Sequence, residues 1–174
     1  MKLIKHLEDR GMNPKLYSFS KSYSASTITF YLWNLSGRLV GYQQYRPNKF
    51  DKKVNNPKLS RYFTYLPKDT DGMFGLELLN EKDRTIYIVE GVFKAAILHS
   101  LGFNAIAVLT SSPKRLKPWF RIMKKTWNLV AIGDNDTAGM KLVHCVANGF
   151  QSPKDLDEMK KDEILSLLNR KSMV

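Results

Sequence analysis

In a chain of 174 residues, with 28 Lys and Arg against 16 Asp and Glu, the carboxylates placed to do chemistry are few and ordered. Glu90 directly follows the apolar run 85–89 and stands beside Gly91. Asp134 and Asp136 follow the run 128–132, inside Gly133-Asp134-Asn135-Asp136-Thr137-Ala138-Gly139. Asp155 and Asp157 come next, in Pro153-Lys154-Asp155-Leu156-Asp157. Carboxylates that converge repel one another and cost stability unless a cation neutralises them. An all-oxygen set of this kind suits Mg²⁺ (or Mn²⁺), which keeps its waters and is often held by carboxylates together with substrate phosphates. Each fragment alone has a plainer reading. A DxD before a helix is a turn with an N-cap, Glu-Gly after a strand is a loop, and Lys-Asp-Leu-Asp is the acidic start of a helix. The order of all three on successive elements is what points to metal chemistry.

The elements that must position these residues follow from periodicity. Residues 85–89, 104–109 and 128–132 read as short apolar strands, and 93–101, 113–125 and 138–147 as the helices that follow them. Strands alternating with helices demand a parallel sheet with right-handed crossovers. Unbroken apolar runs fit strands covered on both faces. In such a sheet the carboxyl ends share one edge, where ligands bind, so Glu90 and the Asp134/Asp136 pair should converge there. Before residue 84 the pattern differs. A helix at 2–10 is stopped by Gly11 and Pro14, and 27–34 with 38–45 form a hairpin about Leu35-Ser36-Gly37. Residues 46–58 read as a polar basic loop, 61–66 as a strand and 73–80 as a short helix. A terminal amphipathic helix at 158–171 carries Ile164, Leu165, Leu167 and Leu168 on its apolar side. The expected class is α/β, a Rossmann-like parallel sheet between helices preceded by a small α+β subdomain with an antiparallel hairpin. The expected division is 1–83, 84–157 and a C-terminal helix at 158–174.

Cations gather in two places. Arg46, Lys49, Lys52, Lys53, Lys58 and Arg61 meet only Asp51, and are interleaved with Tyr45, Phe50, Tyr62, Phe63 and Tyr65. Cations for phosphates alternating with rings for stacking are how single strands are held; a solvated loop beside a strand is the plainer alternative. Lys114, Arg115, Lys117, Arg121, Lys124 and Lys125 form a second cluster, with no acid between Thr110 and Trp127. A helix without its own i,i+4 ion pairs, with Trp119, Phe120 and Ile122 as its core face, suits phosphate contact. The net charge of +12 favours the same polyanionic partner.

The inventory also excludes classes. Cys145 is the single cysteine, so no internal disulfide forms and a reducing cytoplasm is expected. His6, His99, His144 and Cys145 are too scattered for a zinc site, and the GxxxxGK[ST] phosphate loop is missing. His99 and His144 read as structural residues and Cys145 as packing. No apolar run reaches membrane-spanning length and the first ten residues are too charged for a signal peptide. No membrane partner is expected.

The carboxylate pattern resembles the Toprim domain of bacterial-type (DnaG-like) primases, topoisomerases and a set of nucleases. The matching segments are IYIVEG, AIGDNDTAG and KDLDE. The resemblance implies a divalent-metal cluster of Glu90, Asp134, Asp136, Asp155 and Asp157, with Glu90, Asp134 and Asp136 catalytic. The earlier order HLEDRGM, ITFYLWNLSGRLVGYQQYRP, SRYFTYLP and GMFGLELL is similar to the subdomain that precedes Toprim in primase cores. Gly37-Arg38-Leu39-Val40-Gly41, Arg61-Tyr62 and Gly75-Leu76 fill that subdomain's places, so the likeness covers most of residues 1–160. It is nearest to small phage-encoded primase-like proteins, which implies the cytoplasm of a phage-infected bacterium.

The implied activity is metal-dependent nucleotidyl transfer from nucleoside triphosphates on single-stranded DNA, making RNA primers. Arg46, Lys58, Arg61, Tyr62, Lys94, Lys114, Arg115, Lys117 and Lys141 are the expected nucleic-acid and nucleotide contacts. The alternatives are a Toprim nuclease and a non-catalytic nucleic-acid-binding replication accessory. The sequence departs from the family pattern in three ways. Lys94 stands where members carry an aspartate four residues after the glutamate. The fourth strand after Ala147 must be very short or missing. The zinc-binding and helicase-associated modules do not occur, which leaves template recognition to a partner, a helicase or a template-recognition protein.

Overall fold

The computed structural model describes residues 3–49, 55–110 and 113–172; Phe50, Asp51, Lys52 and Lys53 of the first basic cluster lie outside them. Helix α1 (Leu3–Asp9) buries Leu3 and Leu7. Four strands follow: β1 (Phe19–Ser22), β2 (Thr27–Trp33), β3 (Leu39–Tyr45) and β4 (Tyr62–Tyr65). They form an antiparallel sheet in the order β1-β2-β3-β4. The β2–β3 hairpin closes as its turn residues dictate. Asn34 Oδ1 accepts from the backbone N–H groups of Ser36 and Arg38, each at 3.0 Å, and Gly37 takes φ +69. On β2 the even positions Ile28, Phe30 and Leu32 are buried and turn toward the second sheet.

The second sheet is parallel throughout, in the order β6-β5-β7-β8. Its strands are β5 (Thr85–Val89), β6 (Ala105–Ala107), β7 (Asn128–Gly133) and β8 (Gly149–Gln151). Helices α2 (Val92–Ser100), α3 (Lys117–Met123), α4 (Thr137–Val146) and α5 (Lys161–Ser172) complete the unit. Ile86 and Ile88 of β5 pack with Trp119, Phe120 and Leu142 on one face. Tyr87 and Val89 join Leu3, Phe30, Tyr45 and Phe93 on the other. Both faces are therefore buried, and one core runs continuously from the antiparallel sheet into the parallel one. Each fully buried aromatic or aliphatic side chain there contributes about 1.5–3 kcal/mol.

Several expectations change. Residues 73–80 do not form a helix. Met73 pairs with Trp33 and Phe74 with Ala107 as extended bridges that tie one sheet to the other, and only Leu76–Leu78 makes a 3₁₀ turn. Gly75 at φ +94 blocks helical continuation, and the tertiary pairing outweighs local propensity. Strand β1 was not expected, because Phe19–Ser22 carries no buried alternation. The basic helix is split into a 3₁₀ turn, Pro113–Leu116, and the two-turn α3. The expected core face holds at Trp119 and Phe120, which are buried, but Met123 takes the place of Ile122, which is 55% exposed. The terminal helix starts at Lys161, since Leu156–Glu158 is a 3₁₀ turn that ends on extended Met159. The expected short fourth strand is β8, three residues long.

Candidate active site between the two sheets

The order β6-β5-β7-β8 puts a topological switch between β5 and β7, since the chain goes from β5 to β6 on one side and then to β7 on the other. A crevice opens outside the carboxyl ends at such a point. Glu90 follows β5 there, with Gly91 starting α2. Asp134 follows β7. The β7–α4 turn closes tightly because of two glycines. A Cβ on Gly133 would collide with the Gly139 backbone, and one on Gly139 with the Asp134 backbone. Asp136 Oδ1 caps α4 by accepting from the Gly139 N–H at 2.8 Å. Gln151 of β8 clamps the same turn, its amide donating to the carbonyls of Asp134 and Asp136 at 2.8 Å each. This clamp could not be read from the sequence.

A cleft of about 440 Å³ separates this acidic edge from the antiparallel sheet. One wall is Arg10, Gln43, Arg61 and Tyr62, and the other is Glu90, Lys94, Asp134 and Asp155. Arg10, at the end of α1, lies 4.1 Å above the Phe93 ring and donates to Asp157 Oδ2. Arg61 lies over the rings of Tyr45 and Tyr62 at 5.8 and 5.9 Å, and its Nε is buried without a hydrogen-bond partner. Glu90 Oε1 is likewise buried and unpartnered. Burial first, then the charges of Asp134 and Asp136, push the Glu90 carboxyl up to about 7.

Lys94, in the first turn of α2, reaches across this edge. Its ammonium donates to Asp134 Oδ1 and lies 3.3 Å from Asp155 Oδ1. Burial works against its charge, but the two carboxylates prevail and hold its pKa above the usual lysine value.

No family model matches the chain. It is 28% identical over 151 residues to uncharacterized protein MG010 of Mycoplasma genitalium, covering 78% of this chain and 63% of that protein, so it spans less than two thirds of that relative. Among solved structures, the DnaG catalytic core superposes with a TM-score of 0.67 at 14% identity, over 95% of this chain and 71% of that one. The fold is that of a DnaG-type primase catalytic core. The Aquifex aeolicus primase, in its zinc-binding and RNA polymerase domains, gives 0.65 at 19% identity over 95% of this chain and 55% of that one. A DnaG primase catalytic domain bound to single-stranded DNA gives 0.62 at 16%, over 95% and 60%.

Within this primase-core fold the expected site residues separate. Glu90, Asp134, Asp155, Asp157, Arg61, Tyr62 and Lys94 all line the cleft. The expected five-carboxylate metal cluster is not assembled: among the described residues, no three His, Cys, Asp or Glu side chains gather closely enough to hold a metal ion. The carboxylates are instead paired within the protein. Asp134 and Asp155 hold Lys94, Asp157 holds Arg10, and Asp136 spends one oxygen on its cap. The donor chemistry still fits a divalent cation on the Glu90 side, where a buried carboxylate oxygen lacks any partner and repels Asp134 and Asp136. Glu90 would hold it there, with Asp134 and Asp136 joining it only once their side chains leave their present partners.

The remaining cations lie away from the cleft. Arg46 donates to Ser60 O at 3.1 Å and Gln44 Oε1 at 2.7 Å, bracing β3. Arg115 donates to Thr70 O at 2.8 Å and pairs with Asp71 at 3.0 Å. Lys58, Lys114, Lys117 and Lys141 are exposed. Arg10 was not among the expected contacts, although it stands in the HLEDRGM segment that resembles primase cores.

Proposed function

We propose that this protein is a primase-like enzyme of DNA replication. It holds a single-stranded DNA template and nucleoside triphosphates at the cleft between its two sheets and joins nucleotides into short RNA primers. The observation that carries this reading is the cleft itself, with guanidinium groups and a tyrosine on one wall facing carboxylates at the β5–β7 switch on the other. Mg²⁺ or Mn²⁺ held by Glu90, Asp134 and Asp136 would neutralise charge on the attacking and leaving oxygens of phosphoryl transfer. The chain's own groups bind and orient. Arg61 lines the cleft and supplies its guanidinium charge to a phosphate there. Tyr62, 37% exposed, presents a ring on which a base can stack. Arg10 is fixed by Phe93 and Asp157 with its charge toward the cleft, adding to the positive wall that draws the triphosphate in. The exposed Lys114 and Lys117 extend the positive surface for the template backbone. Template selection falls to a helicase or other partner, and the working compartment is the cytoplasm.

A second reading has one observation in its favour. Lys94 already neutralises Asp134 and Asp155, as in a nucleic-acid-binding accessory that no longer needs metal. Incubation with single-stranded DNA, labelled nucleoside triphosphates and Mg²⁺ or Mn²⁺ separates the readings. Labelled oligonucleotides support primer synthesis. Shortened DNA indicates a nuclease, and binding without any product indicates the accessory.

A further inference from the structure

Lys94 is 11% exposed at its side chain, and its ammonium bridges two carboxylates from separate elements, Asp134 after β7 and Asp155 before the last 3₁₀ turn. It is rooted on a third element, α2, so the bridge ties the β5, β7 and C-terminal segments together at the cleft wall. The ammonium itself is not at the surface: removing it would leave the partly buried Asp134 carboxylate facing the half-exposed Asp155 without a cation between them, which is costly. Glu90, four residues earlier on the same edge, takes no share of this charge by hydrogen bonding, since its buried Oε1 has no partner. The edge therefore divides into a half whose carboxylates pair directly with Lys94 and a half, at Glu90, that the ammonium acts on only through space.

We propose that Lys94 is the resident cation of the Asp134–Asp155 half, standing where a divalent ion would otherwise bind and confining metal to the Glu90 half. The inference rests on the metal-binding reading of the cleft and adds to it a fixed number of ions per chain. Because Asp134 borders both halves, its oxygen held by Lys94 is withheld from metal, and the Glu90 half has fewer ligands than five carboxylates would supply.

The test is a calorimetric titration with Mn²⁺, with bound ion counted by electron paramagnetic resonance, on the wild type, Lys94→Gln and Lys94→Asp. Circular dichroism confirms folding of each variant. Lys94→Gln keeps a side chain of similar reach if Lys94→Asp proves too repulsive to fold. Each folded variant is expected to bind one Mn²⁺ more per chain than the wild type, and Lys94→Arg, which keeps the charge, none. Adding Asp155→Asn to Lys94→Gln is expected to weaken the added site at least tenfold. Equal stoichiometry and affinity in wild type and Lys94→Gln would overturn the proposal. The wild-type count answers separately for metal-dependent transfer: no ion in the wild type and one in Lys94→Gln supports the role of Lys94 while removing the catalytic reading.

Discussion

Glu90 is the residue on which charge, burial and position meet. An acid whose pKa is raised in the folded state binds its proton more tightly there than in the unfolded chain. Its contribution favours folding at low pH and is lost as pH rises from 4.5, the ordinary value for a glutamate, through about 7. Glu90→Gln removes that loss. In metal-free buffer at pH 8 the variant is expected to be more stable than the wild type, with the difference vanishing below pH 4.5, as chemical denaturation at each pH would show. His99 acts with the opposite sign. Its Nε2–H donates to Ala105 O at 2.8 Å and its Nδ1 accepts from the Tyr17 hydroxyl at 2.7 Å, so the part-buried ring is neutral. Burial lowers its pKa, and stability is expected to fall as pH drops below 6.5, where only the unfolded chain takes the proton. His99→Gln should flatten that limb of the pH profile. Glu90 and Asp134 were legible in the sequence because their places depend on strand ends alone. The partners of Lys94 and Arg10 were not, because they depend on side-chain direction across elements.

At the scale of elements, the β7–α4 turn does two jobs through neighbouring residues. Asp136 caps the helix while Asp134 faces the cleft. Asp136→Ala is expected to cost about 1 kcal/mol from loss of the cap, and Asp136→Asn, which still caps, less than about 0.5 kcal/mol. Urea denaturation of both variants beside their transfer activity separates capping from a metal role. If Asp136→Asn is stable but inactive, the second oxygen is needed for metal. Gly139→Ala forces a Cβ into the Asp134 backbone and is expected to destabilise by roughly 1–3 kcal/mol and to displace the site. The parallel strands were readable because buried strands are apolar without interruption. The β1 strand and the Met73–Phe74 bridges were not: a four-residue edge strand has little pattern, and isolated bridges are set by whichever backbone lies alongside.

For the whole molecule, the shared core matters as much as the charge. Leu3, Phe30 and Tyr45 pack in one cluster with Val89, Phe93 and Leu168, so residues 84–174 expressed alone would expose that face. The fragment is expected to lack a cooperative unfolding transition in calorimetry, whereas the full chain shows one. The net charge of +12 predicts that single-stranded DNA affinity falls steeply as salt is raised. Reversing Lys114 and Lys117 to Glu should weaken binding to all sequences alike and reduce the salt slope, because phosphate contacts position without specifying. Arg115 is a poorer probe, since its pairing with Asp71 mixes binding with stability. The overall fold and the acidic edge could be read from alternating strands and helices. The cleft could not, because its basic wall comes from α1 and β4, far from the acids in sequence.

The most direct measurement is incorporation of labelled ribonucleotides on single-stranded DNA in Mn²⁺, comparing the wild type with Glu90→Gln. Short labelled RNA products from the wild type, reduced roughly 100-fold or more in the variant, are the predicted result. Equal incorporation by the two proteins, or no product from a wild type that still binds DNA and Mn²⁺, would contradict the account.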